Sequence, residues 1–305
     1  MRGIGIFSIG VVLALAIAIQ GCETTTGPDQ VFVPQPPAAL YATSIDSATI
    51  ALKWDHSPDY TAAEFAGYHV RIYNPGGVTM LDTLLPASWT QVQVTGLQEG
   101  TIYTCEVAGE TADTIGPAKQ IQWSPASRFV ELTTGNPIRM YESASVFGSG
   151  VDLYNPTEGG PVNLKTSSGQ EWDLGLYTRD NKLIIASPTL LKQYYQSLPD
   201  NLRATEIAAE VYTNVNSLND VFDSEALNAK TFAEREIDLT QYSGNIVLVV
   251  RTADNHYAKV LVKYVNGSFL QGSEPNRYVE CEVSYQKEAG VPYARTARDN
   301  DGGDQ

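Results

Sequence analysis

The stretch Gly96-Leu97-Gln98-Glu99-Gly100-Thr101-Ile102-Tyr103 decides how the first third of this chain reads. Glu99-Gly100 is turn chemistry. Beyond it Tyr103, Cys105 and Val107 recur with the period of two that places one face of a strand inward. The same alternation runs through Ile50, Leu52 and Trp54, and again through Tyr68, Val70 and Ile72, with Asn74-Pro75-Gly76-Gly77 as a turn. Short alternating runs broken by turn residues at intervals of about 8 to 15 positions predict an antiparallel sandwich. Between Gly109 and Ser124 the pattern lapses, which predicts a long loop holding Glu110, Asp113, Ile115 and Trp123. Trp123 is there either a ligand contact or a ring packed over its own domain edge.

These residues resemble a fibronectin type III domain over residues 34–134. Pro36-Pro37-Ala38-Ala39-Leu40 looks like its opening, Trp54 its second-strand tryptophan and Gly67-Tyr68-His69-Val70 its third strand. The resemblance implies that the Tyr103 hydroxyl bonds to backbone near the corner. It also implies that Ser124-Pro125-Ala126-Ser127 through Phe129 to Thr134 forms the final strand. Such domains are mostly spacers or recognition modules, and the fold by itself names no ligand. No Arg-Gly-Asp tripeptide supports integrin-type binding.

Upstream lies an address. Arg2 precedes an apolar run from Ile4 to Ile19, shorter than the roughly 20 residues of a spanning helix and suited to a secretory signal. Ile19-Gln20-Gly21-Cys22 resembles the lipobox of bacterial lipoproteins, with Gln20 in place of the usual small residue. The resemblance implies a signal peptide over 1–21, diacylglycerol on Cys22 and a tether over 22–33, closed by the Pro-rich Pro34 to Pro37. It implies a lipid-anchored protein of the bacterial envelope, expected at the outer membrane, with the membrane as its first partner.

The 305 residues carry 35 acidic and 20 basic side chains, a formal net charge of −15. No cationic excess exists to displace counterions from phosphates, which excludes nucleic acid as a partner. The length favours two domains.

The second unit, 136–295, follows Gly135-Asn136-Pro137, which reads as a hinge. Strands are predicted at 151–154 and 162–166, then a hairpin of 172–178 and 182–186 turning at Arg179-Asp180-Asn181. Ser187-Pro188 predicts a helix bearing Leu190, Leu191, Tyr194, Tyr195 and Leu198 on its apolar face. Residues 202–233 read as partly helical, with Ser217 as a cap. Strands follow at 245–252, 257–264 and 278–285, and residues 296–305 form a polar tail. The expected fold class is mainly β: a fibronectin type III sandwich followed by a β-rich α+β domain. Trp172-Asp173-Leu174, Val250 to Val260 and Tyr278 to Gln286 resemble HmuY-like lipoproteins, some of which carry haem. That resemblance implies a small-molecule carrier, but the family's two mid-domain histidines have no counterpart between Ile138 and Asn255.

Candidate chemistry is sparse. The three histidines are His56, His69 and His256, with Asp254 beside the last in a turn. None has the base-and-nucleophile setting of a catalytic relay. Cys105 and Cys281 read as core residues of different domains. Asp220, Asp223 and Glu225, like Glu234, Glu236 and Asp238, read as solvated acidic faces. Asp299-Asn300-Asp301-Gly302 lacks the distal Glu of a calcium loop. Trp172, Tyr177, Tyr194 and Tyr195 read as core before ligand surface. No phosphate-cradling loop, CxxC pair or HExxH helix occurs. The expectation is a non-enzymatic binding and scaffolding protein with no cofactor or metal, whose envelope protein or glycan partner the sequence leaves open. A haem or small-molecule carrier is the alternative. An envelope glycoside hydrolase would need two carboxyls facing across a cleft.

Overall fold

A computed structural model describes residues 31–168 and 171–294. The predicted signal peptide, Cys22, most of the tether and the polar tail lie outside the described residues.

The alternating runs of the first unit build seven strands: β1 (Leu40–Asp46), β2 (Thr49–Trp54), β3 (Gly67–Tyr73), β4 (Thr79–Pro86), β5 (Gln91–Val94), β6 (Tyr103–Glu110) and β7 (Ile115–Trp123). They form a three-stranded sheet, β1-β2-β5, facing a four-stranded one, β4-β3-β6-β7. Register follows the apolar alternation, as in Ala42 opposite Leu52 and Val70 opposite Val107. The inward residues Leu52, Trp54, Tyr68 and Cys105 share one core. At the corner the Gln98 N–H donates to the Tyr103 hydroxyl at 2.9 Å, as the resemblance implied.

Two expectations are corrected here. The segment from Gly109 to Ser124 is a tight turn at Thr111–Thr114 followed by β7, and Trp123 is wholly buried. Its outward residues Lys119, Gln120 and Gln122 are polar, which hid the strand from a reading of hydrophobic runs. The four-stranded sheet therefore ends in β7, paired with β6. The stretch read as the sandwich's last strand instead supplies β8 (Ser127–Phe129), which pairs antiparallel with the final strand of the second unit.

The second unit is a sandwich too. Its strands are β9 (Ile138–Tyr141), β10 (Gly150–Asn155), β11 (Gly160–Leu164), β12 (Leu174–Tyr177), β13 (Ile184–Ala186), β14 (Glu206–Tyr212), β15 (Phe232–Ala233), β16 (Glu236–Asp238), β17 (Ile246–Arg251), β18 (Tyr257–Val262) and β19 (Tyr278–Tyr285). Five order as β11-β10-β12-β13-β16 and oppose the sheet β15-β14-β17-β18-β19-β8, where β9 also pairs with β19. The β12–β13 hairpin turns where expected, with Asp180 and Asn181 both at positive φ. Gly135-Asn136-Pro137 is a turn between two strands of one sheet and not a hinge, since Leu132 N–H donates to Asn136 O at 2.6 Å.

Helix is nearly absent among the described residues. The predicted helix shrinks to α1 (Pro188–Leu191), and Ser187 caps nothing with its side chain. The Ser187 hydroxyl instead accepts from Arg235 N–H at 3.0 Å, tying the segment to a neighbouring strand. Residues 202–233 form β14, β15 and short 3-10 turns at Leu218–Asp220 and Leu227–Ala229, not helices. No helix among the described residues is long and apolar enough to cross a membrane.

Both faces of the larger sheet are covered. Leu248, Val250 and Val260 point into the core between the sheets, while Val247 and Leu261 on the opposite face lie under Val215, Leu218 and Val221. A strand buried on both sides reads as a continuous apolar run, which is what Ile246-Val-Leu-Val-Val250 is.

Candidate functional site

The chain places its least ordinary chemistry where the two sandwiches join. The described residues from Val33 onward cluster as one compact unit. Ala42 on edge strand β1 exchanges backbone hydrogen bonds with Asp223 at 2.9 and 3.1 Å, covering an otherwise open sheet edge. Past β19 the chain returns to the first sandwich and sets Tyr293 into its core beside Trp123. The Gln286 amide donates to Pro125 O at 3.0 Å and to Tyr293 O at 3.2 Å, holding that return in place. Gly100, at φ +80°, takes the side chain of Glu288 against it; a Cβ there would lie 2.2 Å from Glu288 Cγ.

Lys259 is fully buried in this joint. Alternation on β18 sends it to the face opposite Ala258 and Val260, towards the 215–227 segment. Its ammonium bonds Asp223 and donates to Val221 O at 3.3 Å, 5.9 Å from the Trp123 ring centroid. The other Asp223 oxygen accepts from the Tyr212 hydroxyl at 2.5 Å and faces Lys230 Nζ at 3.2 Å. Burial pushes the Lys259 ammonium below its ordinary pKa, and the attraction of Asp223 offsets only part of that. Burial acts on Asp223 in the upward direction, but Lys259, Tyr212 and Lys230 together hold it below the usual carboxylate range. Of the Asp220, Asp223 and Glu225 cluster, Asp220 and Glu225 are exposed as expected, whereas Asp223 is the buried anion of the joint.

A second network gathers three carboxylates around Arg203. Arg203 reaches Asp173 at 3.1 Å, Asp152 at 3.4 Å and Asp254 at 2.8 Å. Asp173 also accepts from Leu153 N–H at 3.0 Å and the Thr205 hydroxyl at 3.3 Å. Burial pushes Asp173 up to about 7, with Arg203 opposing and Asp152 adding to the shift. Burial likewise raises Asp152. These are two neighbouring carboxyls, but both are buried and share one guanidinium, so they do not face each other across a cleft. Asp254 serves Arg203 rather than its own turn.

The remaining candidates are engaged in packing. His256 stacks on Tyr285 at 5.3 Å, with Nδ1 3.0 Å from Gln286 O. His69 lies between Glu110 at 2.5 Å and Asp82 at 2.6 Å, and His56 stacks on Tyr60. Cys105 and Cys281 sit buried in separate cores, and burial pushes each thiol up to about 12. Trp172, Tyr177, Leu191 and Leu198 form one cluster, with Tyr194 and Tyr195 packed on its edge. Glu236 accepts from the Tyr194 hydroxyl at 2.7 Å and Asp238 from Thr240 N–H at 3.0 Å. A hollow of about 260 Å³ lined by Glu142, Ser143, Thr178, Arg179 and Arg277 is smaller than typical small-molecule sites of roughly 300–1,000 Å³.

Sequence reasoning missed Lys259, Arg203 and Tyr293. The first had a signal, since a lysine inside the otherwise apolar run Tyr257 to Val262 requires a buried partner. Arg203 and Tyr293 had none, because their partners are distant in sequence.

A fibronectin type III domain model matches residues 35–131. Similar solved structures include the third such domain of the human KIAA0343 protein, 19% identical, covering 34% of this chain and 94% of that one, with a TM-score of 0.28. Another is the domain of human contactin 1, 16% identical over 35% of this chain and 94% of that one, TM-score 0.27. A computationally redesigned β-sandwich is 20% identical over 30% of this chain and 96% of that one, TM-score 0.27. With its seven strands in two facing sheets and its Tyr103 corner, the segment 35–131 is a fibronectin type III domain.

Proposed function

We propose that this chain is a lipid-anchored protein of the bacterial cell envelope, held through Cys22, whose two joined sandwiches act as a rigid, non-catalytic binding and scaffolding body. The observation that carries the rigid-body reading is the return of the chain after β19, which puts Tyr293 into the core of the first sandwich. A flexible string of modules would keep each core within its own segment. The anchor rests on the Ile4 to Ile19 run ending at Gly21-Cys22. Without residues 1–21, which carry Arg2 and no acid, the net charge is −16, which would keep the body off an anionic membrane surface.

Two measurements test it. Spin labels on Val78→Cys and Val146→Cys, exposed positions of the two sandwiches, should give one narrow distance distribution; a broad one would overturn the rigid body. Cys22→Ala should abolish fatty-acid labelling and leave an uncleaved precursor. Unchanged labelling would place the anchor elsewhere.

A further inference from the structure

The chain has four tryptophans. Trp54, Trp123 and Trp172 are at most 1% exposed, whereas Trp89 is 49% exposed. It lies in the turn from β4 to β5, and that turn is pinned by its backbone. Trp89 N–H donates to Pro86 O at 2.9 Å, and Thr90 O accepts from Trp54 N–H at 2.9 Å. The backbone that carries Trp89 is therefore fixed at the surface, and the indole stays outside the core.

Beside it is a hollow of about 490 Å³ lined by Ser88, Trp89, Thr90 and Gln91. None of the four is charged, on a chain with a net charge of −15. The side chains of Ser88, Thr90 and Gln91 form no hydrogen bond among the described residues, so two hydroxyls and an amide are open to a ligand. A flat apolar ring bordered by neutral donors and acceptors suits a sugar ring, whose C–H face stacks while its hydroxyl edge takes hydrogen bonds. Acidic glycans are disfavoured by the field of the whole chain. A protein hot spot centred on Trp would call for a dry apolar pocket around the ring, and this rim is hydroxyl and amide.

We propose that Trp89 is the stacking platform of a binding site for a neutral saccharide, with Ser88, Thr90 and Gln91 supplying hydrogen bonds. This gives a ligand class to the binding-body reading and rests on it. The test uses the full chain and acrylamide quenching of tryptophan fluorescence, in which Trp89 is the accessible ring. Cellohexaose, maltohexaose and chitohexaose are titrated, with hexagalacturonate as the charged control. At least one neutral oligosaccharide should protect the accessible fraction, with half-saturation between about 10 μM and 1 mM. Followed by titration calorimetry, which needs no indole reporter, Trp89→Ala should weaken that binding at least about tenfold with an unchanged melting temperature, and Trp89→Phe, which keeps a ring, should fall between. No protection by any neutral oligosaccharide up to about 10 mM would overturn the proposal. So would equal binding of the charged control, or binding untouched by Trp89→Ala. Failure here leaves the spin-label distances unaffected, so the rigid body and the saccharide site fail separately.

Discussion

The rings of Tyr293 and Trp123 lie 4.9 Å apart, tilted by 52°, although one follows the last strand of the second sandwich and the other ends the last strand of the first. Each sandwich thereby depends on residues that the boundary between them would assign to the other: Tyr293 fills the first core, and β8 extends the second sheet. Unfolding one should then unfold both.

Tyr293→Ala should cost about 3 kcal/mol, the low end for losing a buried aromatic ring, and should lower a single transition. Urea melts followed by tryptophan fluorescence and by far-UV circular dichroism should stay superimposed. Two separated transitions in the wild-type protein would contradict the shared core.

Tyr103→Phe should destabilise the protein by about 1–2 kcal/mol, because the Gln98 N–H loses its acceptor while the ring stays in place. The check is the denaturant midpoint at unchanged slope. Identical midpoints would remove the corner bond from the account.

Asp223→Ala should be among the costliest single changes, about 3–5 kcal/mol, since it strands the buried Lys259 ammonium. Lys259→Met should cost less, because Asp223 keeps Lys230 and Tyr212. Comparing the two midpoints decides the matter; equal losses would mean that Lys230 does not compensate.

Asp173 gives the second sandwich a dependence on pH. Its folded value of about 7 lies above the unfolded value of about 3.9, so between them the native state holds the extra proton and stability falls as pH rises. Its contribution is complete below about pH 4 and is lost as pH climbs through about 7. Asp173→Asn removes that loss while keeping an acceptor for Leu153 N–H. The variant's melting temperature minus the wild type's should become more positive from pH 5 to pH 8. A flat or falling difference would show that Arg203 already neutralises the charge.

Haem should bind no better than non-specifically, and His256→Ala should make no difference. His256 is the single histidine between residues 136 and 295, and it is committed to Tyr285 and Gln286. A sharp Soret shift at one equivalent of haem that vanishes in the variant would restore the carrier reading.

The legible parts of this fold were those whose signal is local. Inward alternation at Ile50, Leu52 and Trp54, the Asp180-Asn181 turn and the apolar runs of β17 and β18 all record their own environment. β7 escaped because Lys119, Gln120 and Gln122 interrupt its inward residues with solvent-facing ones on an exposed strand. The helix expected after Ser187 failed because Leu190, Leu191, Tyr194 and Tyr195 satisfy helical spacing while packing around tight turns instead. Asp223 looked like one of many surface acids. Nothing near it in sequence announces Lys259, which arrives from a strand that closes over it later.

The pairing of β8 with β19 brings Arg128 against Glu282, 154 positions along the chain. Antiparallel partners so remote meet only after a large loop has been closed, which slows folding relative to local hairpins. While the chain is still emerging, its first sandwich lacks Tyr293 and its larger sheet lacks β19. The native joint can therefore form only after β19 and Tyr293 have been made, and a ribosome-bound chain would expose the apolar seams around Trp123 and Val260 until then.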